Sequence, residues 1–269
     1  MKRNSAIAIA FHCAFVGFML APIVVVCAIA FTPEGYLSFP TKGLSLRWFK
    51  AIADYPEFLR AARTSLLLGV VSSLVVLLFA VPAALAIARH RFPGRSVLTA
   101  LLMSPLMIPH AVLGIAFLRF FNEIGLAGTL TGLILAHLVI VLPFALRLAL
   151  ASATGLDARI EQAAVSLGAT PWIVFRRITW PLILPGVISG WMLAFIQSFD
   201  EVTMTVFIAA PGTETLPVRM FLYIQDSIDP MVTSVSACVI ALTVILLVIV
   251  DRLFGLEKIL LGRADAADR

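Results

Sequence analysis

The stretch TSLLLGVVSSLVVLLFAVPAALAIA, Thr64–Ala88, runs for 25 residues without an Asp, Glu, Lys or Arg. At 1.5 Å of rise per residue it is long enough to cross a hydrocarbon layer about 30 Å thick, which takes about 20 helical residues. It lacks the period-2 alternation of a barrel strand. A lone strand in lipid would leave its backbone groups unpaired, so a helix is the required form.

Five more charge-free runs resemble it: Ile7–Phe31, Ser96–Leu118, Ile124–Leu146, Ile178–Phe199 and Pro230–Val250. The six are 21 to 25 residues long and hold 139 of the 269 residues. The fifth is expected to continue past Asp200 toward Ala210. The expected fold is all-α, a polytopic membrane bundle of six transmembrane helices.

Composition agrees. The chain is 61% hydrophobic and 13% charged, with a mean hydropathy of +1.04. That charged fraction is about half the usual one, which excludes a water-soluble enzyme, a disordered tail and a fibrous repeat. The net charge of +5 reads as charge on the cytoplasmic face of a membrane, with no nucleic-acid partner. Cys13, Cys27 and Cys238 lie in apolar runs without metal-ligand spacing and read as small packing residues.

Lys2 and Arg3 precede the first run, as in a signal peptide, but a signal core spans about 7 to 15 residues. The run is therefore expected to be a retained helix. With alternating spans, thirteen Lys and Arg fall on the side of both termini and seven on the other. The short Arg89–Arg95 connection is the clearest marker, and both termini are expected in the cytoplasm. Three parts are expected: a first helix and periplasmic loop (1–63), a membrane core (64–255) and a C-terminal tail (256–269). Kinks are expected at Pro22, Pro82, Pro105, Pro109, Pro143 and Pro185. The pairs Gly128/Gly132 and Gly186/Gly190 allow close helix contact. His12, His110 and His137 fall in separate spans without paired ligand spacing.

The connection Arg147–Arg177 reads as two short helices joined by a turn. Leu156, Ile160, Ala163, Ala164 and Leu167 recur at helical spacing, with Asp157, Arg159, Glu161, Gln162 and Ser166 on the other faces. Asp157 is placed to cap the first helix and Gly168 to end it in the left-handed region. Thr170-Pro171 restarts the helix with a hydroxyl cap and a first-turn proline. Patterning alone allows either an amphipathic helix lying on lipid or a rigid knob that docks in a partner's groove.

In this connection Glu161-Gln162-Ala163-Ala164-Val165-Ser166-Leu167-Gly168-Ala169, followed by Ile178-Thr179-Trp180-Pro181, resembles the "EAA" loop of binding-protein-dependent ABC importer permeases. Ala163, Ala164, Gly168, Ile178 and Pro181 match that pattern in register, within a loop taken as 147–181. Gln162 stands where the family has Glu, with Glu161 just before it, and Trp180 replaces a Leu. Ser198-Phe199-Asp200-Glu201-Val202 and Pro211-Gly212-Thr213-Glu214-Thr215-Leu216-Pro217 are similar to the spermidine/putrescine-type, PotC-like branch.

The resemblance implies a MetI-like permease fold whose loop, with Glu161, Gln162, Ala163, Ala164, Leu167, Gly168, Ala169, Ile178 and Pro181, sits in a cleft of an ATPase. It also implies a dimer of ABC ATPases, a second homologous permease subunit and a periplasmic solute-binding protein in the bacterial inner membrane. The chain has no G-x-x-x-x-G-K-[ST] phosphate loop. ATP and Mg are therefore expected on the partner ATPase, with no cofactor on this chain, no metal site and no catalytic residue.

Near the end of the fifth span, Gln197 and Glu201 are four residues apart on one expected helical face, with Asp200 turned about 100° away. The three are candidates for a solute pathway that attracts a cation; an outer gate or interhelical ion pair is the competing role. The expected activity is polyamine import by alternating access. The alternatives are import of an oxyanion, ferric iron or an aminophosphonate by the same architecture, or an ion-gradient-driven carrier.

Overall fold

The computed structural model describes residues 6–254. The expected tail at 256–269 lies outside them. The described residues form twelve α-helices with short 3₁₀ and π segments and no strand. They divide into two compact units, one built on the chain up to Leu59 together with Met220–Leu253, the other on Arg60–Arg219.

The first unit holds α1 (Ala6–Ile29), the short α2 (Arg47–Ala51) and, at the other end of the chain, α12 (Met231–Phe254). The central stretch of α1 buries none of its residues, and Phe11, Phe15, Phe18 and Val24 are exposed, as suits a helix facing lipid. Cys13 and Cys238 are likewise exposed. Ser234 Oγ donates to the Ala30 carbonyl at 3.0 Å and joins α12 to the end of α1.

α3 (Pro56–Arg89) contains the deciding stretch and runs unbroken for 34 residues, with Pro82 inside it. The second unit continues with α4 (Arg95–Met103), α5 (His110–Glu123), α6 (Leu130–Gly155), α7 (Ala158–Ser166), α8 (Pro171–Val174), α9 (Trp180–Phe199) and α10 (Thr205–Ile208). α11 (Leu216–Asp226) bridges back to the first unit's sequence.

Among the described residues, four helical stretches are long and apolar enough to span a membrane: Ala8–Ile29, Pro56–Arg89, Leu130–Gly155 and Pro171–Phe199. The third expected span, Ser96–Leu118, is not one straight helix. It breaks into α4 with a 3₁₀ turn (Ser104–Met107) and α5, bent by 101°. Pro109 lacks an N–H and drives Ile108 into extended backbone, ψ 128°, so the helix cannot pass. This pair makes a fifth crossing when counted as one broken span, and α12 contributes the shorter apolar stretch Met231–Ile245. Six spans fit this inventory.

The fourth and fifth spans depart from their expected bounds. The fourth span begins at Leu130, because Gly125 and Gly128 hold positive φ and Thr129 Oγ1 caps the Gly132 N–H at 3.1 Å. It then runs past Arg147, which is exposed, to Gly155. The fifth span does not continue toward Ala210: α9 stops at Phe199 and the chain turns before α10.

α6 and α9 form the centre of the second unit, antiparallel along a seam of small residues. Gly190 lies so close that a Cβ there would sit 3.0 Å from the Ala145 carbonyl oxygen, and one on Gly186 would run into Ser152. Leu133, Ala136, Ile140, Ala149, Ile183, Val187 and Ala194 are buried along this seam. In lipid such contact is held by close packing, since burial from water drives little of it.

Candidate functional site

Leu156 ends α6 in extended backbone, and Asp157 then starts α7 by accepting the Arg159 N–H at 2.9 Å on its side chain. Nine residues later α7 ends in a Schellman turn. The Ala169 N–H donates to the Ala164 carbonyl at 3.0 Å and the Gly168 N–H to Val165 at 2.9 Å, with Gly168 at φ +88°. Pro171 opens α8, although the Thr170 side chain makes no capping bond. A π turn, Phe175–Thr179, then joins α8 to α9 without a break, so Ile178 and Pro181 lie on one helix with the span.

The apolar side expected for α7 is not the side that faces inward. Leu156 and Ala164 are half-buried, whereas Ile160 and Ala163 are exposed and Leu167 is 90% exposed. Glu161, expected on a polar face, points inward. Its Oε2 lies 2.9 Å from Arg89 Nε, and its Oε1 accepts the Thr179 hydroxyl at 2.7 Å. Arg89 Nη1 donates to the Leu156 carbonyl at 3.2 Å. A cation and a hydroxyl on neighbouring elements satisfy the carboxylate, which removes the cost of turning it inward. Gln162, Ala163, Val165, Ser166 and Leu167 are left facing outward, and Trp172 of α8 is exposed as well. Gly168 is exposed and Ala169 half-buried.

The other candidate residues lie at the far end of α9. Asp200 is exposed and follows the last helical residue. Glu201 lies beyond the helix, so it shares no helical face with half-buried Gln197. It is only 7% exposed, its Oε2 is 2.6 Å from His110 Nδ1, and its Oε1 accepts the Met204 N–H. One step away, fully buried His137 contacts Ser198 Oγ at 2.8 Å through Nδ1 and Thr205 Oγ1 at 3.0 Å through Nε2. His137 is the eighth residue of α6, so this polar layer lies about 10 Å along that helix from its start.

The helix order, the broken third span and the capped loop leading into the fifth together form one architecture. Residues 77–256 match the family described as the binding-protein-dependent transport system inner membrane component. The chain belongs to this family. Among its relatives is the spermidine/putrescine transport system permease protein PotC of Haemophilus influenzae, 28% identical over 232 residues, covering 86% of this chain and 90% of the relative. The molybdate/tungstate transport system permease protein WtpB of Thermococcus kodakarensis is 33% identical over 154 residues, 57% of this chain and 62% of that protein. Among solved structures, a bacterial ABC transporter involved in the import of the acidic polysaccharide alginate superposes with a TM-score of 0.72 at 17% identity, covering 94% of this permease and all of that chain. The permease thus has the all-helical MetI-like fold and is an ABC importer subunit of the membrane.

Within this permease, Arg89, Thr179, Ser198 and Thr205 are site neighbours that were not expected as site residues, and His110 and His137, set aside for lacking paired ligand spacing, join them. Polar residues in apolar spans are the signal that marks them. Their pairings join positions 61 to 91 residues apart, except Glu161–Thr179 at 18.

Proposed function

We propose that this chain is the permease subunit of an ATP-driven importer in the bacterial inner membrane, with a polyamine of the spermidine/putrescine type as solute. Both termini face the cytoplasm in this reading. The observation that carries it is the outward face of α7, Gln162 to Leu167, on a helix closed at both ends. A helix capped by Asp157 and Gly168 resists fraying and moves as a unit, so closure of an ATPase dimer around it is delivered to the spans. ATP and Mg belong to that ATPase. A second homologous permease completes the pathway, and a periplasmic binding protein delivers the solute. The spans then re-pack between inward-open and outward-open arrangements.

The polyamine assignment draws on the PotC relative and on exposed Asp200, an acid suited to meet a cation at the end of α9. Glu201 is held by His110 and Met204, so its contribution is to shape the turn that presents Asp200. A second reading, oxyanion import, is favoured by the similarity to the molybdate/tungstate permease.

Co-purification followed by mass spectrometry, then reconstitution with the recovered partners in proteoliposomes, tests both. The expected result is recovery of an ABC ATPase and a second permease, with MgATP-dependent uptake of labelled spermidine. Failure to recover any ATPase sinks the importer reading; molybdate uptake without spermidine uptake sinks the polyamine assignment alone.

A further inference from the structure

Four elements converge on the side chains of Arg89 and Glu161. Arg89 is the last residue of α3, Glu161 lies in the first turn of α7, Leu156 ends α6, and Thr179 closes the π turn that leads into α9. Both Arg89 and Glu161 side chains are 18% exposed, so water screens the pair less than a surface pair. The guanidinium meets the carboxylate at Nε, 2.9 Å, and at Nη2, 3.4 Å, while Nη1 holds Leu156. Thr179 Oγ1 reaches the same Glu161 oxygen that Nη2 reaches. The covalent routes from α7 to the spans are the short linkers at Leu156-Asp157 and Leu167 to Thr170, outside any regular helix. Besides these linkers and the packing of α7 on α8 and the π turn, this carboxylate gives a push on α7 a polar route to α3 and α9. The π turn next to it, Phe175–Thr179, departs from regular α-helix, a feature frequent at functional sites.

We propose that Arg89, Glu161 and Thr179 form the joint through which displacement of α7 is transmitted to α3 and α9, with Arg89 as its positioning residue. The assignment rests on the importer reading for what displaces α7, and adds which side chains carry the motion. Arg89 and Glu161 act inside the chain, behind the docking face.

Two measurements test it. In the full chain, with Cys13, Cys27 and Cys238 replaced by alanine, spin labels at His90→Cys and Ser166→Cys report the separation of α7 from the end of α3. A single narrow distance is expected in the parent. Arg89→Ala should broaden it, and the exchange Arg89→Glu with Glu161→Arg should narrow it again. In the reconstituted transporter, Arg89→Ala and Thr179→Val should still co-purify with the ATPase while solute uptake per ATP hydrolysed falls about tenfold, with recovery in the charge exchange. An unchanged distance distribution in Arg89→Ala overturns the joint, and so does an unchanged uptake-to-hydrolysis ratio. If the parent itself shows no ATP-driven uptake, the importer reading falls instead, and the label distances still decide whether the joint holds α7.

Discussion

His137 in α6 and Ser198 in α9 are joined at 2.8 Å inside the helical seam, where neither side chain reaches solvent. With Thr205 on the second ring nitrogen, the imidazole is satisfied on both sides. Interhelical hydrogen bonds in membranes are worth about 0.6 kcal/mol each and at most about 1.7. His137→Leu removes two of them and leaves two hydroxyls unpaired, so a loss of about 1 to 3 kcal/mol is expected. Thermal unfolding in detergent measures it, and an unchanged midpoint would show that the layer does not hold α9.

The α6–α9 seam predicts a second result. Gly186→Ala places a methyl group against Ser152, and overpacking of this kind costs about 1 to 3 kcal/mol. Adding Ser152→Gly to the same chain should return most of that stability. A double variant no better than the single one would locate the damage elsewhere.

At the end of α9 the two adjacent acids should separate by phenotype. Asp200→Asn is expected to fold and assemble normally while raising the KM for a cationic solute. Glu201→Ala removes the acceptor for His110 and Met204 and should lower the melting temperature before any effect on KM is read. Equal effects of the two on stability would contradict the division of roles.

On the outer face of α7, Leu167→Asp changes a side chain that is 90% exposed. The chain alone should melt within about 0.5 kcal/mol of the parent, as surface substitutions do. Recovery of the ATPase on purification should drop sharply, and it should drop further with the bulky Ala163→Trp at an exposed position. Undiminished recovery in both would mean that docking uses another surface.

Gly168 at φ +88° ends α7 in a conformation that costs an L-residue about 1 to 2 kcal/mol. Gly168→Val is expected to fray the last turn of α7 and weaken coupling more than capture of the ATPase. Hydrogen exchange across Ala163–Ala169 reads the fraying directly.

Hydrophobic length was enough to place four of the spans, because a run such as Thr64–Ala88 has no soluble alternative and lipid admits only helix. Local capping was equally readable: Asp157, Gly168 and Pro171 act within a few residues of themselves, so spacing alone located α7 and α8. The break at Pro109 was half-readable. Proline announces a disturbance, but Pro22, Pro82, Pro143 and Pro185 lie within continuous helices, and only the surrounding geometry separates a break from a tolerated ring.

The inward turn of Glu161 was hidden, because its partners Arg89 and Thr179 are distant in sequence and the helical pattern of α7 favoured the opposite face. The same holds for Glu201, whose partner His110 is 91 positions away. Along the chain, then, the amino acids by themselves determined how much of the molecule is membrane helix, where the lever begins and ends, and which family it resembles. Folding decided which charged groups face one another, because a carboxylate's direction depends on cations and hydroxyls brought beside it by other helices, and no local spacing encodes that meeting.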